Sequence, residues 1–251
     1  MPQGQILAII PARGGSKRIP RKNIRPFGGR PMIHWPVAAA LKSGLFDHVV
    51  VSTDDDEIAA VAAEAGALRP FVRPASLSDD HTPLRPVIKH AIAAAEEHYD
   101  RPVAFACCIL ATAAFLAVDD LRAGFDALSR PETDFAFAAT HFPSPIQRAL
   151  RRSAAGGVEM LNPEHRFTRS QDLEECFYDV GQFYWGARAP FMDDGLMYGH
   201  RSVPIMIPQN RARDIDTLED WAEAELLLNF HRLSANNEEI SSTPNLRMTN
   251  L

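Results

Sequence analysis

The chain has 251 residues, 46% of them hydrophobic, which is enough for one large domain, and a formal net charge of −6. That acidic balance excludes a general nucleic-acid binder, and because no apolar stretch exceeds strand length a membrane span is excluded too. With no apolar leader segment, and with Cys107, Cys108 and Cys176 lacking zinc-site spacing, the cytoplasm and reduced thiols, buried at the adjacent pair, are the expectation.

The first element is a buried strand, Ile6–Ile10, which empties into a loop from Pro11 to Asn23. Five cations crowd this loop: Arg13, Lys17, Arg18, Arg21 and Lys22. Gly14 and Gly15 allow a tight turn whose N–H groups can face an anion. Two glycines and five cations at a strand's carboxyl end suit a triphosphate; the alternative is a solvated basic loop. The spacing is neither that of a Walker loop nor that of a dinucleotide fingerprint.

Helix and strand patterns then alternate. A helix is predicted over Met32–Ser43, a strand over His48–Ser52 and a helix over Asp56–Ala65 closed by Gly66. Pro83–Glu97 and Asp119–Leu128 read as helices, Val103–Leu110 and Asp134–Thr140 as strands. The rhythm predicts an α/β, Rossmann-like, doubly wound and mostly parallel sheet that binds ligand beyond the carboxyl ends of its strands. It breaks over about 141–186, where Pro143, Pro145, Gly156, Gly157 and Pro163 punctuate short segments. That stretch reads as a small insertion, a dimerisation arm or lid, with a hairpin of Ile146–Arg151 and Val158–Leu161. Strands Gln182–Gly186 and Val203–Ile207 and a helix Leu218–Phe230 complete a single domain over 1–233, and 234–251 is expected to be a disordered tail.

Three further features carry chemistry. In Asp214-Ile215-Asp216 an extended backbone points both carboxylates the same way, which suits Mg²⁺ completed by phosphate oxygens; alternatively Asp216 or Thr217 caps the last helix. After the second strand, Asp55 is expected to cap a helix, and Arg73 either meets a phosphate or pairs with Asp79 or Asp80. Around the insertion, Gln147, Arg148, Arg166, Arg169, Gln171, Asp172, Asp179, Gly181, Gln182, Phe183 and Tyr184 suit a polyhydroxylated carboxylic acid or a subunit interface.

The segment Ile10 to Asn23 closely resembles the opening motif of the CMP-sialic acid synthetases, the nonulosonate cytidylyltransferases. The resemblance continues through Val51–Asp54, Arg73-Pro74, Leu77–Asp80 and Asp214–Asp216, so it covers nearly all of residues 5–230. Phe137–Arg148, Arg169–Asp172 and Asp179–Trp185 are most similar to the pseudaminic acid cytidylyltransferase branch. The resemblance implies that CTP and a nine-carbon sugar acid give a CMP-sugar and pyrophosphate with Mg²⁺, in a homodimer. It implies nucleotide contacts from Ala12, Arg13, Gly14, Ser16, Lys17, Asn23, Arg73 and Thr112, and catalytic roles for Lys22, Arg13 and Asp216. Asp214 and Asp216 match the metal pair, and Arg148, Arg169, Gln182 and Phe183 are the sugar-side candidates. One departure stands out: the sialic acid branch places a sugar-contacting glutamine after the central strand, where this chain has Leu110, and a proline where it has Ala114. Leu110 cannot make that hydrogen bond, which speaks against N-acetylneuraminate as substrate.

Overall fold

A computed structural model describes residues 3–242. In chain order its elements are β1 (Gln5–Pro11), β2 (Pro26–Phe27), β3 (Arg30–Pro31), α1 (His34–Ser43), β4 (His48–Ser52), α2 (Asp56–Glu64) and α3 (Leu84–Tyr99). There follow β5 (Val103–Ile109), α4 (Val118–Ala127), β6 (Phe135–His141), β7 (Leu150–Arg152), β8 (Val158–Met160), β9 (Phe177–Ala187), α5 (Arg188–Met192), β10 (Ser202–Met206) and α6 (Leu218–Ser242). Six strands form one sheet in the order β10-β6-β9-β5-β1-β4. The pairs β1–β4, β1–β5 and β10–β6 are parallel, and β9 alone runs against its neighbours β5 and β6. The mostly parallel α/β expectation therefore holds.

The near-continuous apolar runs of β1 and β5 follow from burial on both faces. One face packs Ala8, Ile10, Cys107, Phe183 and Trp185 against α1, α2 and α4. The other packs Leu7, Ile9, Cys108 and Tyr184 against α3 and α5. Alternation along β5 thus sends the two adjacent thiols into opposite layers, where both are free and fully buried and burial pushes both upward. A third cluster seats α6 through Trp221, Ala224 and Leu228 on Phe27, Met32, Phe115 and Ile215. No helix among the described residues is long and apolar enough to cross a membrane.

Three stretches differ from expectation. The chain re-enters the sheet at Phe177, five residues before the expected strand at Gln182–Gly186, so the stretch outside the sheet is 142–176 and β9 is a central strand of 11 residues. Gly181, at φ 66°, and the register shift opposite Phe137–Ala139 break the period of two that would have marked its first half. Within the insertion, Ile146–Arg148 is a 3-10 turn and only β7 and β8 pair. The last helix continues past Phe230 to Ser242, because no glycine or proline stops it before Pro244. The rest of the expected tail, 243–251, lies outside the described residues.

Because β1, β4, β5, β6 and β10 share one direction, the loops after them gather along one edge of the sheet. The reversed β9 brings its starting residues to the same edge, with Thr140 paired to Tyr178 and Ala139 to Asp179.

Candidate active site

A cleft of ≈ 310 Å³ opens at this edge, lined among others by Arg13, Ser16, Lys22, Asn23, Arg73 and Thr112. The basic loop is held there by carboxylates from other elements. Asp80 accepts from both Arg13 and Lys17. Asp55 binds Arg21, and Asp216 binds Arg18 at 2.6 Å and Lys22 at 3.3 Å. The Lys22 ammonium also donates to the Ile215 carbonyl at 2.7 Å. Asn23 is buried and anchors the loop by donating from Nδ2 to the Arg13 carbonyl at 3.0 Å.

Gly14 is required for a reason other than flexibility: a Cβ there would stand 2.6 Å from the Asp55 carboxylate. Its N–H points to Asp54 Oδ1 at 3.3 Å, so that carboxylate occupies the direction in which the sequence places an anion. Ala12 is buried, with its N–H bonded to the Ser52 carbonyl at 3.0 Å, and its side chain belongs to the core rather than to the cleft. Asp55 caps α2 as expected, accepting from the Ile58 N–H at 3.0 Å. Chiefly the Arg21 guanidinium holds the Asp55 carboxyl down at about 2.

Arg73 pairs with neither Asp79 nor Asp80. Its guanidinium donates to the Ser52 carbonyl and, at 3.1 Å, to the Ser52 hydroxyl. It is almost wholly buried in the cleft wall, and desolvation lowers its pKa. Asp79 instead shapes the rim, accepting from the His81 and Thr82 N–H groups and the Thr82 hydroxyl.

The acidic pair lies on the connection between β10 and α6. Ile215 is fully buried, while the carboxylates on either side of it face outward. Capping of α6 falls to Thr217 and Asp220, whose side chains accept from each other's N–H at 3.1 and 2.7 Å. Asp216 is thereby left for the site. The surrounding protein first, and the Asp216 charge second, push the Asp214 carboxyl up. Two like charges that crowd each other beside a cleft fit a cation, and among the described residues no cluster of three or more metal-ligating side chains exists. A divalent ion here would draw its remaining ligands from phosphate and water.

A second cleft, ≈ 470 Å³, is lined by Leu110, Tyr178, Asp179, Val180, Gly181, Tyr184, Ala212 and Asp214. Leu110 lines both clefts and is their common wall. Asp179 Oδ2 accepts from the Tyr184 hydroxyl at 2.6 Å and the Tyr198 hydroxyl at 2.5 Å, and Oδ1 accepts from the Gly181 N–H at 2.9 Å. Desolvation and the Asp179 charge push Tyr198 up to about 12. Tyr198 carries no sequence signal; it reaches the site only through the fold.

The sugar-side candidates fare differently. Phe183 is fully buried, and packs so closely on α4 that a Cβ at Gly124 would lie 3.0 Å from its ring, so it is a core residue and not a ligand contact. Gln182 is buried as well, donating from Nε2 to the Arg211 carbonyl at 2.6 Å. Arg148 donates to the Thr168 carbonyl and Arg169 pairs with Asp172 at 2.6 Å, both inside the insertion and lining neither cleft.

Comparison with known proteins accords with this geometry. A family profile described as "Cytidylyltransferase" matches residues 7–198. Pseudaminic acid cytidylyltransferase of Campylobacter jejuni serotype O:2 is 41% identical over 91% of this chain and 98% of its own. The CMP-N,N'-diacetyllegionaminic acid synthase of the same organism is 31% identical over 92% of this chain and 97% of its own. Among solved structures, a CMP:2-keto-3-deoxy-manno-octonic acid synthetase complexed with CTP superposes with a TM-score of 0.64 at 14% identity, covering 90% of this chain and 99% of its own, a likeness of fold. The chain belongs to the cytidylyltransferase family.

Proposed function

We propose that the protein condenses CTP with pseudaminic acid to give CMP-pseudaminic acid and pyrophosphate. The observation that carries this reading is the pair of clefts meeting at Leu110, one cationic and one lined by tyrosines and carboxylates. The choice of sugar acid rests on the 41% identical relative, and an apolar Leu110 is consistent with it.

In the reaction the anomeric hydroxyl attacks the α-phosphorus, and the bond to the bridging oxygen of pyrophosphate breaks. Lys22, Arg13 and Lys17 would exchange their carboxylate partners for phosphate oxygens and neutralise the charge that builds on the leaving group. Asp214, which lines the sugar cleft, and Asp216, which touches Lys22, would hold Mg²⁺. When bound, that ion supplies charge neutralisation on the phosphates and eases loss of the hydroxyl proton. On this reading Asp216→Ala raises the Mg²⁺ concentration needed for half-maximal rate by about tenfold; an unchanged titration would leave Asp216 with only its ion pairs.

The exposed Leu150, Val158 and Phe167 of the insertion support a homodimer formed through it, and light scattering tests this. Arg148 and Arg169 line neither of the two clefts described, so a contact to sugar would be made across that interface. The cytoplasm, where CTP is made, fits the free thiols. The decisive experiment is pyrophosphate release from CTP with pseudaminate, legionaminate, N-acetylneuraminate and Kdo. Turnover is expected to be highest with pseudaminate. CTP binding without turnover on any of the four would instead describe a non-catalytic homologue.

A further inference from the structure

The connection from Ile207 to Thr217 has no regular structure, yet it must hold two carboxylates against a cationic loop. Its first residues are pinned to β6, where the Ile207 N–H donates to the Ala139 carbonyl at 2.8 Å and Thr140 Oγ1 donates to the Ile207 carbonyl at 2.8 Å. Its end is fixed by buried Ile215 and the α6 cap. Between them Gln209 Nε2 donates to the His141 carbonyl at 3.1 Å and the Asn210 carbonyl meets His231 Nε2 at 3.3 Å, while two buried side-chain tethers converge on one residue, Arg211. The Arg211 guanidinium forks onto both carboxylate oxygens of Asp120, 91 residues away, and its carbonyl receives the Gln182 amide.

These tethers are poorly explained by stability. Asp120, 9% exposed, and Gln182, 1% exposed, are buried polar side chains, and Gln182 Oε1 has no partner. A buried ion pair replaced by apolar residues of like size is often no less stable, and an unsatisfied buried amide oxygen is a cost. Asp120 sits in the first turn of α4, where it could serve the helix's open N–H groups, and the N-cap there makes no side-chain bond. Gln182 also accepts the Leu110 N–H on its carbonyl at 2.9 Å. One residue thus links the common wall of the clefts to the segment bearing the acidic pair.

We propose that Asp120 and Gln182 are positioning residues: through Arg211 they set where Asp214 and Asp216 stand relative to Lys22 and Leu110. The proposal rests on the reading of the acidic pair as part of the reaction site. Loss of such outer support costs about 10–100-fold in metal affinity or activity in comparable sites.

The test uses two variants of the whole chain, Asp120→Leu/Arg211→Met, which substitutes an apolar pair, and Gln182→Met, which removes only the amide bond. Both are expected to melt within a few degrees of the wild type and to keep the CTP KM within about threefold. With pseudaminate their kcat should fall by about 10–100-fold. Hydrogen exchange of residues 210–217 should quicken, and Mn²⁺ affinity in the presence of CTP, read by electron paramagnetic resonance, should weaken. Wild-type kcat, exchange and Mn²⁺ affinity in both variants would overturn the proposal. If the double variant does not fold, Gln182→Met decides. If the wild type turns over no sugar acid, the proposed reaction fails while exchange and Mn²⁺ binding still decide the positioning role.

Discussion

The loop from Pro11 to Asn23 and the insertion 142–176 are both short of regular structure, yet they are stabilised in opposite ways. Every cation of the loop is paired with a carboxylate from a distant part of the chain: Asp80, Asp216 or Asp55. In the insertion the pairs are local, Arg151 with Glu159, Arg169 with Asp172, and Arg148 with the Thr168 carbonyl. The loop therefore has its shape only when the whole sheet is formed, whereas the insertion depends on its own neighbours. A region whose contacts converge from several elements suits transition-state charge, because such a site need not reorganise. A region of exposed local pairs suits recognition by a partner surface.

Substitutions can break or sharpen this contrast. The largest stability effect is expected at Phe183, which sequence places on the sugar and the structure places in the core. Phe183→Ala should lower unfolding free energy by about 3–5 kcal/mol in urea titrations; unchanged stability with a raised sugar KM would return it to the site. Next comes Lys22→Ala, expected to leave the melting curve intact and reduce kcat by about 10²–10³-fold while changing CTP affinity little. Equal turnover would remove Lys22 from the mechanism.

Asp55 tests the loop's dependence on remote partners through pH. Its folded pKa lies below the unfolded value of 3.8, at about 2, so its ion pair with Arg21 stabilises the protein above pH 4 and is lost as pH falls toward 2. Asp55→Asn should cost about 1 kcal/mol at pH 7, limited by the solvent exposure of Arg21, and the gap from wild type should close between pH 4 and pH 2. A gap independent of pH would assign the cost to packing around the new amide, since asparagine keeps the cap, and not to the lost charge. The smallest effect is expected at Arg169→Ala, within about 0.5 kcal/mol in stability because its pair with Asp172 is exposed. A large loss would show that the insertion is not held by local contacts alone.

Local signals made much of the fold legible. The apolar run of β1 and the capping role of Asp55 each depend on a few adjacent residues, and each stands as read. What sequence did not reveal depends on distance or on an interrupted period. Asp80 reaches Arg13 across 67 positions, and nothing nearby distinguishes it from Asp79. The bulge at Gly181 hid the first half of β9, so the amide and aromatic side chains after it read as a binding patch when two of them, Gln182 and Phe183, are buried. Tyr198 joins Asp179 only because Ser202–Met206 returns to the sheet beside β6.

The chain leaves the sheet after His141 and rejoins it at Phe177, and those two residues face each other on one ladder. Everything between them is thus a cassette whose ends are fixed at neighbouring rungs. Lengthening or replacing it adds only a slowly growing closure cost and leaves the nucleotide half untouched. Such a joint lets a lineage trade the surface that meets a new sugar or a new partner subunit without rebuilding the machinery that handles CTP.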